Sequence, residues 1–183
     1  MLGESSAYPE GVVDVGIVVV ALFDNPLKTE AVRFLADVLR FRRRIAIPVT
    51  AVIGAYHVAT RYLKLSRVEV KRVLTGMLST KSPAPYPHVS PDVAVQALEY
   101  ATYYNVESWD GYIIELAKRL GNSIIYTLDE ELGKVGGVVV VTPFPRELVN
   151  QYHEYMKNLL ARGRRTGSSR GSFSNEQVPL NQQ

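Results

Sequence analysis

Residues 11–20 read "GVVDVGIVVV" and hold one charged side chain, Asp14, among Val, Ile and Gly. An ionised carboxylate buried alone in such a run is costly, so Asp14 needs a partner. Two further aspartates are candidates for its surroundings. Asp129 directly follows the apolar run "SIIYTL", and Asp110 lies at the helical start within "VESWDGYII". Carboxylates that converge repel one another and hold each other's pKa up unless a cation sits among them. Mg²⁺ and Mn²⁺ take oxygen ligands and retain waters, and a metal-activated water can attack a phosphodiester. A metal shared by Asp14, Asp110 and Asp129 is therefore one answer to what Asp14 is paired with. Plainer readings exist for two of them: Asp110 as a helix-start residue favoured by the dipole, and Asp129 as a turn residue after a strand.

The elements that must position these acids alternate. Residues 11–15, 44–49, 123–128 and 137–142 are short apolar runs that predict buried strands. Residues 17–23 either continue the first strand or start a helix against their β-branched content. Apolar spacing predicts helices over 27–40 and 50–63, with Thr50 as cap of the second. Ser66 and Glu69 form a capping-box pair that opens a helix to about residue 78. Residues 81–91 contain four prolines and predict a loop. Ser90, Pro91 and Asp92 mark the start of a helix that ends near Tyr104. A helix over 109–120 is stopped by Gly121, and a last one covers 147–160. Short apolar strands separated by helices imply a parallel sheet covered on both faces, beyond whose carboxyl ends ligands sit.

Composition narrows the class. The chain has 183 residues, 46% hydrophobic and 21% charged, which suits one soluble globular domain. Its longest apolar run, residues 15–23, is far below the roughly 20 residues that span a bilayer. The N-terminus has no basic start and does not resemble a secretory signal. There is no cysteine, which excludes disulfides and thiolate metal sites; the cytoplasm is the expected compartment. The net charge of +3 resides in residues 161–183, where Arg162, Arg164, Arg165 and Arg170 face Glu176 alone. Residues 1–160 are thus expected to form a single neutral domain and residues 161–183 a disordered tail.

The succession "VVDVG", "IPVTAVIGAYHV", "VESWDGYIIELAKRLGNSIIYTLDEEL", "VVVVTPF" resembles the PIN domain, a nuclease fold frequent in prokaryotic toxin–antitoxin pairs. The likeness spans roughly residues 11–144 and is strongest from Asp110 to Thr127-Leu128-Asp129. It implies an α/β fold, a three-layer α/β/α sandwich with a central parallel sheet of about four to five short strands. It also implies a cluster of acids holding Mg²⁺ or Mn²⁺ and cleaving RNA. Asp14, Asp110 and Asp129 match three of the family's acidic positions, as catalytic and metal-binding residues, with Thr127 orienting an acid. The position where the family carries a Glu, in the helix after the second strand, falls on Gly54. A polar residue the family often has two after the first Asp is replaced by Gly16.

Other residues have two readings each. His57, three after Gly54, either faces the site or is a partly buried structural histidine. Asp24, Glu107 and Glu130 are acids that compensate for Gly54 or are merely solvated or capping. Arg42, Arg43 and Arg44, with Lys64 and Lys71, are candidates for phosphate contacts, against the plain reading of solvated charge. Tyr100, Tyr103 and Tyr104 stack on bases or serve packing. The resulting expectation is a metal-dependent endoribonuclease, the toxin of a toxin–antitoxin pair, with RNA, an antitoxin and a second copy of itself as partners. The rival is a degenerate PIN-like domain acting as an RNA-binding or protein-interaction module, favoured by Gly54 and Gly16. An unrelated nucleotide-binding fold is disfavoured because no glycine-rich phosphate loop follows the first strand.

Overall fold

The computed structural model describes residues 9–167. Five parallel strands form one sheet: β1 (Gly11–Val13), β2 (Ile45–Pro48), β3 (Pro85–Tyr86), β4 (Ile124–Tyr126) and β5 (Val139–Val141), in the order β3-β2-β1-β4-β5. Seven α-helices connect and cover them: α1 (Val15–Val20), α2 (Lys28–Leu39), α3 (Val49–Arg61), α4 (Arg67–Leu78), α5 (Pro91–Tyr104), α6 (Ser108–Arg119) and α7 (Arg146–Gly167). Successive strand residues point to opposite faces, and β1 shows it. Val13 enters a core with residues of α1, α2, α3, α4 and α7, while Val12 enters a second core with α5 and α6. The arrangement is the expected three-layer α/β/α sandwich.

Several boundaries differ from the sequence reading for identifiable reasons. The first strand stops at Val13 rather than residue 15, because Asp14 caps α1. Of the two readings for the run after it, the helix is the one formed. Ile17, Val18, Val19 and Val20 are all buried. Each such burial is worth about 1.5–3 kcal/mol, whereas a β-branched residue costs a helix interior less than about 0.7 kcal/mol. Packing therefore decides.

Thr50 is not the cap of α3. The helix begins one residue earlier, at Val49, after Pro48, and leaves Thr50 inside its first turn. Within the segment expected to be a loop, residues 85 and 86 form β3 as an edge strand. Ile47 N–H donates to the Ala84 carbonyl at 2.8 Å, so the proline-rich segment serves as acceptor, and prolines are tolerated on an edge. A 3₁₀ turn, Glu130–Lys134, was not foreseen. α7 continues to Gly167, past the expected end at residue 160, through a segment in which Ala161 and three Arg favour helix and Gly163 does not. The rest of the expected tail, residues 168–183, lies outside the described residues.

The Ser66 cap holds, with its hydroxyl accepting from Glu69 N–H at 3.4 Å. Gly121 ends α6 with a φ of +86°, a conformation that suits glycine. α5 and α6 pack so closely that a Cβ on Gly111 would lie 2.1 Å from the Ala97 carbonyl oxygen. This contact sets the depth at which α6, and with it Asp110, lies on the sheet. Gly111→Ala is expected to lower unfolding free energy by about 3 kcal/mol, the upper range for forced overpacking, measured by urea denaturation. A loss within experimental error would show that α5 and α6 separate freely.

Candidate active site

β1 and β4 are hydrogen-bonded neighbours from which the chain proceeds in opposite directions, to β2 and β3 on one side and to β5 on the other. Such a switch point leaves a crevice at the carboxyl ends of the two strands. A cavity of about 910 Å³ lies there, lined by Asp14, Glu107, Asp110, Asp129, Glu131 and Lys134 among others. Asp14 follows β1, Asp129 follows β4, and Asp110 sits in the first turn of α6. The structure thus brings together the three acids that the sequence singled out.

Asp14 is 5% exposed and Thr127 is fully buried. The Thr127 hydroxyl donates to Asp14 Oδ2 at 2.8 Å and accepts from the Asp129 N–H at 3.0 Å. One hydroxyl therefore links two of the acids. Asp14 Oδ1 accepts from Val15 N–H and Oδ2 from Gly16 N–H, so the carboxylate also caps α1. A Cβ on Gly16 would stand 3.3 Å from Oδ2; the glycine leaves the carboxylate room to fold back onto the helix. Asp129 Oδ1 accepts from Glu131 N–H at 2.8 Å and starts the 3₁₀ turn.

Burial and mutual repulsion both act on these acids. Burial pushes the Asp14 carboxyl up; hydrogen bonds from Thr127, Val15 and Gly16 oppose the push, and Asp129 adds to it. Asp110 is pushed up to about 6, first by burial and then by the charges of Asp14 and Asp129. Carboxyl oxygens are the donors that Mg²⁺ and Mn²⁺ prefer, and their mutual repulsion is what such an ion relieves. The donor set fits such an ion chemically. Among the described residues, no three His, Cys, Asp or Glu side chains are gathered tightly enough to hold an ion as they stand.

The other expectations divide. Glu107 lines the cavity, whereas Asp24 pairs with Lys28 at 2.6 Å on the surface and Glu130 is exposed outside it. Tyr104 lines it too; Tyr103 is 81% exposed, and Lys118 Nζ lies 4.3 Å over the Tyr100 ring. His57 is exposed rather than partly buried, edge-on to Tyr62, because it lies on the solvent side of α3. Arg42, Arg43 and Arg44 precede β2, at the opposite end of the strands from the acids. Arg42 pairs with Asp37, Arg43 covers the Phe34 ring, and Arg44 pairs with Glu10. Lys64, in the connection after α3, and Lys71, on α4, are both exposed. Two charged cavity residues were missed, Glu131 and Lys134, which are joined to each other as an ion pair. "DEELGK" gives no sign of which of its charges the 3₁₀ turn aims inward.

A family model of the PIN domain matches residues 11–138, well over half of the chain. The chain belongs to the PIN domain family. PIN domains are a nuclease family, and the acids at the switch point are where this PIN domain concentrates its polar chemistry. Its fold is similar to the crystal structure of FitAcB from Neisseria gonorrhoeae, with a TM-score of 0.51 and 16% identity, over 72% of this chain and 96% of that one. No curated protein matches the sequence. No helix among the described residues is long and apolar enough to cross a membrane. Gly54 of this PIN domain is buried, and a Cβ there would meet Val15 Cγ2 at 3.1 Å and the Trp109 ring at 3.9 Å. Both contacts are chain neighbours of site acids, Asp14 and Asp110.

Two outcomes follow from this geometry. Thr127→Val, which removes a hydrogen bond to a buried carboxylate, is expected to cost about 2 kcal/mol, read by chemical denaturation. Asp110 binds its proton more tightly folded, at about 6, than at its ordinary 3.8. Its contribution to stability is therefore most favourable below the lower value and declines as pH rises through that window. In EDTA, melting temperature should fall across the window in the wild type and fall less in Asp110→Asn. Parallel profiles would remove Asp110 from the acid cluster.

Proposed function

We propose that this PIN domain is a metal-dependent endoribonuclease with Asp14, Asp110 and Asp129 as its catalytic and metal-binding residues. The observation that carries the reading is the convergence of the three carboxylates on one cavity, where Asp110 is held at about 6 partly by the other two. When bound, Mg²⁺ or Mn²⁺ supplies the charge that lets the acids ionise together and stabilises charge developing on the phosphodiester. Thr127 holds Asp14 in place against rotation, and its acceptance from the Asp129 backbone fixes the distance between the two chain segments. Lys134 brings a positive charge to the same cavity for a backbone phosphate, with Glu131 beside it. The finer parts of the proposal come from the family resemblance: a toxin role, an antitoxin partner, a homodimer, and a cytoplasmic setting.

Gly54 favours a second reading, a domain that binds RNA without cutting it. The helix face beside Asp14 and Asp110 carries no acid there. The deciding experiment is incubation of the full chain with single-stranded and structured RNAs in Mn²⁺ or Mg²⁺. Cleavage that EDTA abolishes and Asp110→Asn reduces to background supports the nuclease. Absence of cleavage by a folded wild type, or equal cleavage by Asp110→Asn, supports the binding module.

A further inference from the structure

α6 begins as a wedge between two hollows. Asp110 faces the acid cavity; Trp109, the residue before it, lines a separate pocket of about 230 Å³ with Thr50, Val89, Ala97, Leu98 and Tyr112. Trp109 is 42% exposed, a large flat surface left uncovered. One edge of the ring lies against α3 at Gly54, one turn after Thr50, where an added Cβ would stand 3.9 Å from it. The pocket also contains hydroxyls that the protein does not satisfy well. Thr50 Oγ1 is buried without a hydrogen-bond partner among the described residues. It stands near enough to Tyr112 to oppose the upward push of burial on that phenol. On its other side the Tyr112 hydroxyl donates to the His88 carbonyl at 3.5 Å, the outer limit for such a bond.

We propose that this pocket is a subsite for one nucleobase of an RNA single strand, stacked on Trp109 and read at its polar edge by the Thr50 and Tyr112 hydroxyls. The proposal takes its ligand class from the nuclease reading above. An aromatic wall beside apolar side chains with two underused hydroxyls matches what a splayed-out base offers, a π-face and a hydrogen-bonding edge. An apolar side chain from a protein partner would fill the space but leave the buried Thr50 hydroxyl unsatisfied. Trp109 and Asp110 are consecutive residues, so a strand with a phosphate at Asp110 has a base within reach of Trp109. The pocket is thereby a specificity determinant for a position near the bond cut.

Trp109 is the chain's single tryptophan, so its fluorescence reports on the pocket alone. The probes are the four homopolymeric tetraribonucleotides, added to the full chain carrying Asp110→Asn without divalent metal, where acid repulsion is reduced and RNA stays intact. Saturable quenching is expected, stronger for some bases than for others. By anisotropy of dye-labelled oligonucleotides, Trp109→Ala weakens binding at least about fivefold, Trp109→Phe retains most of it, and Thr50→Val narrows the differences among the four. Binding without quenching, unchanged affinity in Trp109→Ala, or no binding by any probe overturns the subsite. Because the assay needs no turnover, a chain that binds in this way and never cleaves sinks the nuclease reading alone. A chain that cleaves with unaltered KM in Trp109→Ala sinks the subsite alone.

Discussion

The hydrogen bond from Thr127 to Asp14 is the constraint on which the site and its frame both rest. Asp14 is at once the residue after β1, the cap of α1 and a wall of the cavity. A buried carboxylate is tolerable only when its oxygens are occupied, and here β4 and the start of α1 occupy them. The Thr127 hydroxyl, spent as donor on Asp14, uses its acceptor capacity on the Asp129 backbone. The two central strands are thus held in step at the end where chemistry would take place. The same groups that stabilise the charge also limit where it can move.

The remaining site residues are positioned by packing. The two cores grip the sheet from opposite faces, and α6, with Tyr112, Ile113, Ile114, Leu116 and Ala117 buried, is the principal helix of one of them. Its depth is set by the Gly111 contact with α5, so Asp110 and Trp109 inherit their positions from a backbone-to-backbone approach. Glu115 extends this: buried, it pairs with Arg119, which also reaches Asp92 at the start of α5. The exposed arm to Asp92 by itself adds little stability, but the network joins the start of one helix to the end of the other.

What could be read from the sequence was what local pattern determines. Asp14 was conspicuous because a charge in an apolar run demands an explanation, and Asp110, Thr127 and Asp129 because each adjoins a predicted strand or helix start. The strand–helix alternation was equally open to reading, and with it the parallel sheet. Tertiary burial was not. α1 defeats its own propensity by hiding four β-branched side chains. Charge density also misleads. Arg42, Arg43 and Arg44 form the densest basic run of the first 160 residues, yet the direction of β2 puts them at the amino-terminal end of the strands. Lys134, alone in an unremarkable segment, reaches the cavity because a 3₁₀ turn carries it there.

The proline-rich edge strand has a consequence beyond the site. An edge that presents free N–H groups is a template for another chain's strand, and proline is one of the devices that blunts it. β3 is two residues long, one of them Pro85, with Pro83 and Pro87 on either side, so this border of the sheet offers few donors to a stranger. The opposite border, β5, is all valine, and Val139 is 56% exposed. The two margins of the sheet are thus blunted differently, one by proline and the other by the shortness of a three-residue strand.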